Sequence, residues 1–126
     1  MSAAQLEAYR TAQKSVMSGR EIEAMVLTKA ALQLKKCRGN WDPEDRDGKR
    51  SESLKFNQDV WTVLQGELAK DDNPLPVQLR QDLLSLSLFV DKRTFDVMAF
   101  PSPEKLDILI NINLNIAAGL RGSAAG

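Results

Sequence analysis

Apolar residues separated alternately by three and four positions recur in three long segments of this chain of 126 residues. This spacing keeps side chains on one face of an α-helix, whereas the side chains of a strand alternate with a period of two. Proline or glycine lies near the ends of these segments, where a helix is expected to stop. The pattern therefore predicts an all-α fold, organised as a single-domain bundle of about five helices.

The predicted helices cover most of the chain. The first spans residues 4–17, the second residues 18–38, the third residues 52–70 and the fourth residues 76–98, and the fifth begins near Ser102. The domain is predicted to occupy residues 1–120, with a polar connection at 39–53 and a flexible tail at 121–126.

The fifth segment is open to two interpretations. In "DILININLNIAAGLRG" (residues 107–122) isoleucine and asparagine alternate, which is typical of a half-buried strand. The residues before it favour a helix, since Ser102 can cap, Pro103 suits a first turn and Glu104 suits the positive end of a helix. Gly119 is a candidate terminator. We favour a helix, in which Asn113 lies inside the apolar face.

Two buried amides are expected in the core. Asn57 and Asn113 both fall on 3-4 seams, where a polar side chain fixes the register of packed helices; contact with a partner is the alternative. Trp61 is expected in the core, and Trp41, in the polar connection, is either an exposed contact or a loop anchor. The residues predicted for the core or for helix register are Asn57, Trp61, Asn113, Leu79, Leu83, Leu86, Val90, Leu109, Ile116 and Leu120.

The fourth helix carries more apolar side chains than one face can hold. A stripe of Val77, Leu84, Leu88 and Phe95 lies beside the predicted core seam, which indicates a central helix in the bundle. Either five helices bury both stripes, or the surplus forms a groove for an amphipathic helix of a partner. The residues assigned to this partner surface are Leu84, Leu88, Phe95, Ile108, Ile112 and Leu114.

The composition argues against catalysis. The chain contains no histidine and one cysteine, Cys37, so that neither a Ser-His-Asp set nor a Cys/His metal site can form. An EF-hand alignment of the connection places Pro43 and Leu54 where carboxylates are needed. We expect a protein that is not an enzyme and has no cofactor or metal. Single-cysteine usage suits a reducing cytoplasm.

Charge and hydropathy limit the partners. Lysine plus arginine equals aspartate plus glutamate at 17 each, which disfavours direct binding of nucleic acid. No apolar run approaches the roughly 18 residues of a membrane span.

Five short segments of the chain form an ordered pattern: "NQDVW" (residues 57–61), "LP" (75–76), "LR" (79–80), "LSLSLFVDKRT" (84–94) and "INLNIAAGL" (112–120). In this order they resemble the FlaF family of bacterial flagellar biosynthesis regulators. Tyr9 and "REIE" (20–23) match more loosely, and residues 38–53 depart from the pattern.

The resemblance implies an all-helical, non-enzymatic protein of the cytoplasm. It implies binding to flagellin in the manner of a secretion chaperone, promotion of flagellin synthesis or export, and opposition to the translation repressor FlbT, a further partner. An RNA-binding regulator of flagellin message is the alternative, which the balanced charge disfavours.

Overall fold

The computed structural model describes residues 2–6 and 19–125, with side chains as far as residue 122, and its secondary structure within these ranges is helical. Residues 3–6 form a helical segment, α1, and the remainder of the first predicted helix lies outside the described residues. The fifth segment is a helix and not a strand, and the predicted all-α bundle of about five helices is confirmed. The further helices are α2 (Gly19–Gly39), α3 (Lys49–Leu68), α4 (Val77–Ala99) and α5 (Lys105–Ala125).

The helices from α2 to α5 form a ring. Helix α2 packs against α3 on one side and along most of α5 on the other, and α4 closes the ring between α3 and α5. Helix α4 has its larger contact with α3, a smaller one with α5 and none with α2 within the described chain. Among the helices from α2 to α5, α4 therefore lies at one corner of the ring and not at the centre, where it was predicted.

The buried face of α4 consists of Ser87, Val90, Thr94 and Val97. The Ser87 hydroxyl donates to the carbonyl oxygen of Leu84 at 2.6 Å, and the Thr94 hydroxyl donates to that of Val90 at 2.7 Å. A hydroxyl whose hydrogen bond is made within its own helix can be buried at little cost. These small side chains therefore face the core in place of the predicted leucines.

The predicted core seam of α4 is rotated out of the core. Of its four members only Val90 is buried, Leu83 and Leu86 are half-buried, and the Leu79 side chain is 41% exposed. The assignment of Leu79 to the core is wrong. The apolar pattern could not identify the inner stripe, because serine and threonine count as polar in it.

A hydrogen-bonded cluster of polar side chains lies at the centre of the ring. Asn113 on α5 accepts a hydrogen bond from the indole Nε1 of Trp61 at 2.9 Å. Its own Nδ2 donates to Oδ1 of Asn57 at 2.7 Å and to the backbone oxygen of Leu27 at 3.2 Å. All three polar side chains are fully buried, and Nδ2 of Asn57 has no partner. Neither asparagine reaches the surface, where a partner would bind.

The apolar core surrounds this cluster. Leu109 and Leu120 of α5 are buried, and Ile116 is half-buried and packs against the core. The largest fully enclosed apolar side chains are Trp61, Leu27, Leu34, Leu54, Leu106, Leu109, Val90 and Val97.

The connection between α2 and α3 is held by two aspartates. Oδ1 of Asp45 accepts from the backbone N–H of Arg50, and Oδ2 accepts from both the N–H and the hydroxyl of Ser51, at 2.6–3.0 Å. Asp47 accepts from the N–H of Lys49. These bonds satisfy amides that a helix start leaves unpaired. Helix α3 therefore starts at Lys49, three residues before the predicted start.

Two residues of this connection have backbone angles in the left-handed region. Asp45 has φ +50° and Gly48, the residue before α3, has φ +72°. Trp41 is half-buried here and packs against the core, with the Arg50 guanidinium 4.4 Å from its ring centroid. Trp41 is thus a loop anchor rather than a fully exposed contact.

Helix α5 extends beyond its predicted end. It passes through Gly119 and continues to Ala125, and Nη2 of Arg121 donates to the Thr28 hydroxyl of α2 at 3.0 Å. Residues 121–125 are therefore part of a helix and not of a separate tail. Glycine in a helix interior has a modest energetic cost, which packing along α2 offsets.

Candidate protein-interaction surface

The outer face of α4 carries a stripe of five apolar side chains. The side chains of Leu88 and Phe95 are 63% and 60% exposed, Val77 and Met98 are also exposed, and Leu84 is half-buried. We refer to these five residues as the α4 stripe. Three of them, Leu84, Leu88 and Phe95, were assigned to a partner surface from the sequence. The exposed face of a surface helix usually carries polar side chains, so this apolar stripe is a candidate binding surface.

The α4 stripe follows a coiled-coil repeat. Its five members, together with the polar residues Gln81 and Asp91 between them, fall on the positions 77-81-84-88-91-95-98, in alternating steps of four and three. This spacing places an apolar seam along one side of a helix, which is what a second helix needs for packing. The stripe is about 32 Å long, at a rise of about 1.5 Å per residue.

The stripe lies nearer to the α3-facing edge of α4 than to its α5-facing edge. The α3-facing edge is marked by Asp91, whose Oδ2 accepts from Nε2 of Gln65 at 3.2 Å. The α5-facing edge is marked by Asp96, which forms an ion pair of 3.2 Å with Lys105. At about 100° per residue, Phe95 is about 40° from Asp91 and about 100° from Asp96 around the helix.

The three candidate residues of α5 do not join this stripe. Leu114 is half-buried on the flank of α5 that faces α2, the flank on which Asp107 pairs with Arg38 at 3.1 Å. Ile112 lies about 160° away from Leu114 around the helix, with Ile108 beside it.

Ile108 is exposed, while Ile112 and Leu114 are half-buried and pack against the core. The six predicted partner residues therefore belong to three separate surfaces, and a single groove bordered by α4 and α5 does not contain them all.

Two exposed aromatic rings, one in the middle of α4 and one directly after it, were missed by sequence reasoning. Phe89 and Phe100 are exposed. The Arg93 guanidinium lies 5.7 Å from the ring centroid of Phe89, and Nζ of Lys105 lies 5.6 Å from the ring centroid of Phe100. The "FPSP" sequence at 100–103 was interpreted only as a helix break. A large aromatic residue beside a break is a signal that could have identified Phe100.

One carboxylate near the opposite end of α4 has a perturbed pKa. Glu23 on α2 lines a small cavity of about 20 Å³ together with Leu68 of α3 and Leu83 of α4. Burial raises the pKa of Glu23, and repulsion from Glu67 raises it further, against a smaller opposing effect of Arg20. Its charged form is therefore disfavoured in the folded protein.

The described part of the chain has neither a cluster of metal-ligating side chains nor a membrane-spanning helix. Residues 2–6 and 19–125 contain no group of three or more His, Cys, Asp or Glu side chains placed to hold a metal ion. No helix within these residues has the length and apolar character to cross a membrane. The carboxylates of Asp42 and Asp45 are instead engaged with backbone N–H groups.

Comparison with known proteins identifies the family. The family model described as flagellar protein FlaF matches residues 5–120. The chain belongs to the FlaF family. The matched region includes the whole α4 stripe and the buried Asn57–Trp61–Asn113 cluster, and membership of FlaF assigns the protein to the flagellar system. No curated protein and no solved structure matches the chain.

Proposed function

We propose that this FlaF-family protein binds flagellin in the cytoplasm and promotes its synthesis or export. The observation that carries the proposal is the α4 stripe, an exposed coiled-coil seam that no other described helix covers. A helix-binding seam needs an amphipathic helix with its own 3-4 apolar repeat as a partner. Flagellin belongs to the same system as FlaF, and we propose that one of its terminal helices is that partner.

The apolar character of the stripe supports the proposal of a chaperone-like role. Covering an apolar helix face on flagellin before assembly would remove that face from self-association. Each leucine or phenylalanine buried in such a contact contributes about 1.5–3 kcal/mol before the entropic cost of association is subtracted. Relief of repression by FlbT would then follow from flagellin occupancy, with FlbT as a further partner.

The test is capture of purified flagellin by the purified protein and by variants. Leu88→Asp and Phe95→Asp place a charge in the seam and should each reduce the affinity for flagellin by at least about tenfold. Val63→Asp is the matched control, because Val63 is an exposed apolar residue on α3 outside the stripe. Circular dichroism should show that all three variants remain folded.

Deletion of the terminal helices of flagellin tests whether these helices or another part of flagellin bind the stripe. Loss of capture after deletion supports the terminal-helix version. Undiminished capture, combined with undiminished binding by Leu88→Asp, would overturn the proposal. Tight, salt-sensitive binding of flagellin message leader by the isolated protein would support the RNA-binding alternative instead.

A further inference from the structure

A second surface of the protein combines apolar side chains with cations that form no ion pair with the described residues. It is a shallow, open groove of about 490 Å³ on the outer side of α2, with Arg121 of α5 at one edge. The Leu32 side chain is 55% exposed in it, and Met25 lies one heptad earlier. Helix α2 is diagonally opposite α4 in the ring, so this groove faces away from the α4 stripe.

The cations border the apolar floor on both sides. Met25 and Leu32 lie about 20° apart around α2, with Lys29 and Lys36 about 20–60° to one side of them. Arg121 approaches from the other side. It is positioned by its hydrogen bond to the Thr28 hydroxyl, which in turn donates to the backbone oxygen of Ala24 at 2.8 Å.

These charges are not neutralised within the described protein. Between residues 24 and 39 the sequence contains four lysines and arginines and no aspartate or glutamate. Lys29 lies over the ring of Phe56, with Nζ 5.5 Å from its centroid. Among residues 19–122, neither Lys29, Lys36 nor Arg121 forms an ion pair, whereas Arg38 is paired with Asp107. An apolar groove bordered on both sides by cations that no described carboxylate neutralises has the complementary charge of an acidic partner.

The shape and chemistry favour a protein helix over nucleic acid. The described residues that line the groove include no aromatic ring on which a base could stack, and the floor is aliphatic. Met25 and Leu32 are separated by about 10 Å along the helix axis, the distance between equivalent positions of successive heptads. We propose that this groove binds an acidic amphipathic helix of a partner protein, with apolar side chains seven residues apart and Asp or Glu on both flanks.

The probe for this proposal is a labelled synthetic peptide of about 21 residues with Leu at the a and d positions and Glu at the e and g positions. Its binding to the full chain is measured by fluorescence anisotropy. Leu32→Asp, or the combination Lys36→Glu with Arg121→Glu, should reduce the affinity on the order of tenfold. Lys92→Glu on α4 is the matched control and should bind as the wild type does, and binding should weaken as the salt concentration rises.

Three comparisons decide between occupants. Equal or tighter binding of a peptide with Lys in place of Glu, or of a scrambled peptide, would overturn the proposal. A U-rich RNA that displaces the peptide would assign the groove to nucleic acid, and a mass that doubles with concentration and is restored to monomer by Leu32→Asp would assign it to a second copy.

Phe95→Asp distinguishes this proposal from the proposed function. It should weaken flagellin capture at least about tenfold while leaving peptide binding unchanged, whereas Leu32→Asp should weaken peptide binding and leave flagellin capture unchanged. Loss of peptide binding in Phe95→Asp would place the peptide on α4 and refute the groove assignment.

Discussion

The indole Nε1 of Trp61 donates a hydrogen bond of 2.9 Å to Oδ1 of Asn113. The bond joins α3 and α5, which lie diagonally across the ring and share no close backbone contact. Because Asn113 also donates to Asn57 and to the backbone of Leu27, one amide links α5 to both α2 and α3. The register of three helices is therefore set by a single side chain.

Asn113→Leu should destabilise the protein by about 2–4 kcal/mol, because Trp61 Nε1 and Asn57 lose buried partners. The free energy of unfolding in urea measures this. Asn115→Leu, on the exposed face of the same helix, is the control and should change stability by less than about 0.5 kcal/mol. In a double-mutant cycle with Asn57→Leu, the combined loss should be smaller than the sum of the single losses. Additive losses would mean that the two amides are not coupled.

Gly48 and Gly119 should respond to alanine in opposite directions. Neither has an atom within 4 Å of an added Cβ, so backbone conformation alone decides the result. Gly48→Ala should cost about 1–2 kcal/mol, since φ at this position is +72°. Gly119→Ala, in the interior of α5, should stabilise the protein by about 0.5–1 kcal/mol. Thermal unfolding checks both, and a loss of stability in Gly119→Ala would contradict the helical end of α5.

Asp45 should support α3 in a pH-dependent way. Burial opposes its charge, but hydrogen bonds from the Ser51 hydroxyl and from the N–H groups of Arg50 and Ser51 outweigh this effect, and its pKa lies below the usual value. Its stabilising contribution is complete above the unfolded pKa of about 3.9 and is lost as the pH falls through the folded pKa.

Asp45→Asn keeps a residue that tolerates positive φ but supplies one acceptor oxygen instead of two. It should cost about 1 kcal/mol at neutral pH. The difference from wild type in urea unfolding should shrink under acidic conditions; a difference that persists unchanged would contradict the charge-based account.

Glu23 should have the opposite pH dependence. Its pKa is raised by burial and by Glu67, so its charged form destabilises the folded state. The stability associated with Glu23 is complete below the unfolded pKa of about 4.3 and is lost as the pH rises through the folded pKa. Glu23→Gln should therefore raise the melting temperature at neutral pH and have little effect in acid. Glu104→Gln, an exposed site, controls for the removal of one carboxylate.

The sequence predicted the buried faces of α3 and α5 more accurately than the buried face of α4, for a physical reason. In α3 the seam from Leu54 through Trp61 to Leu68 is the only apolar stripe of its length, so its burial was unambiguous. Helix α4 has apolar residues on both faces, and its inner face contains Ser87 and Thr94. Hydropathy could not show that their hydroxyls are satisfied within the helix.

The candidate site was predictable in part. Leu88 and Phe95 were identified because they exceed what one helix face can bury, and they are among the exposed residues of α4. The grouping with Ile108, Ile112 and Leu114 was wrong as a single groove. Which helices are neighbours in the ring depends on tertiary packing, and the local spacing of residues does not contain that information.

The small inner face of α4 has a consequence for the motions of the protein. Ser87, Val90, Thr94 and Val97 bury little apolar area, so α4 is attached to the ring less strongly than α2 or α5. Local opening of a segment requires least free energy where fewest apolar contacts are broken. The backbone amides of α4 should therefore exchange with solvent deuterium before those of α2. A helix bound along the α4 stripe would slow this exchange, so the most easily opened helix among α2 to α5 is also the one that a partner would protect.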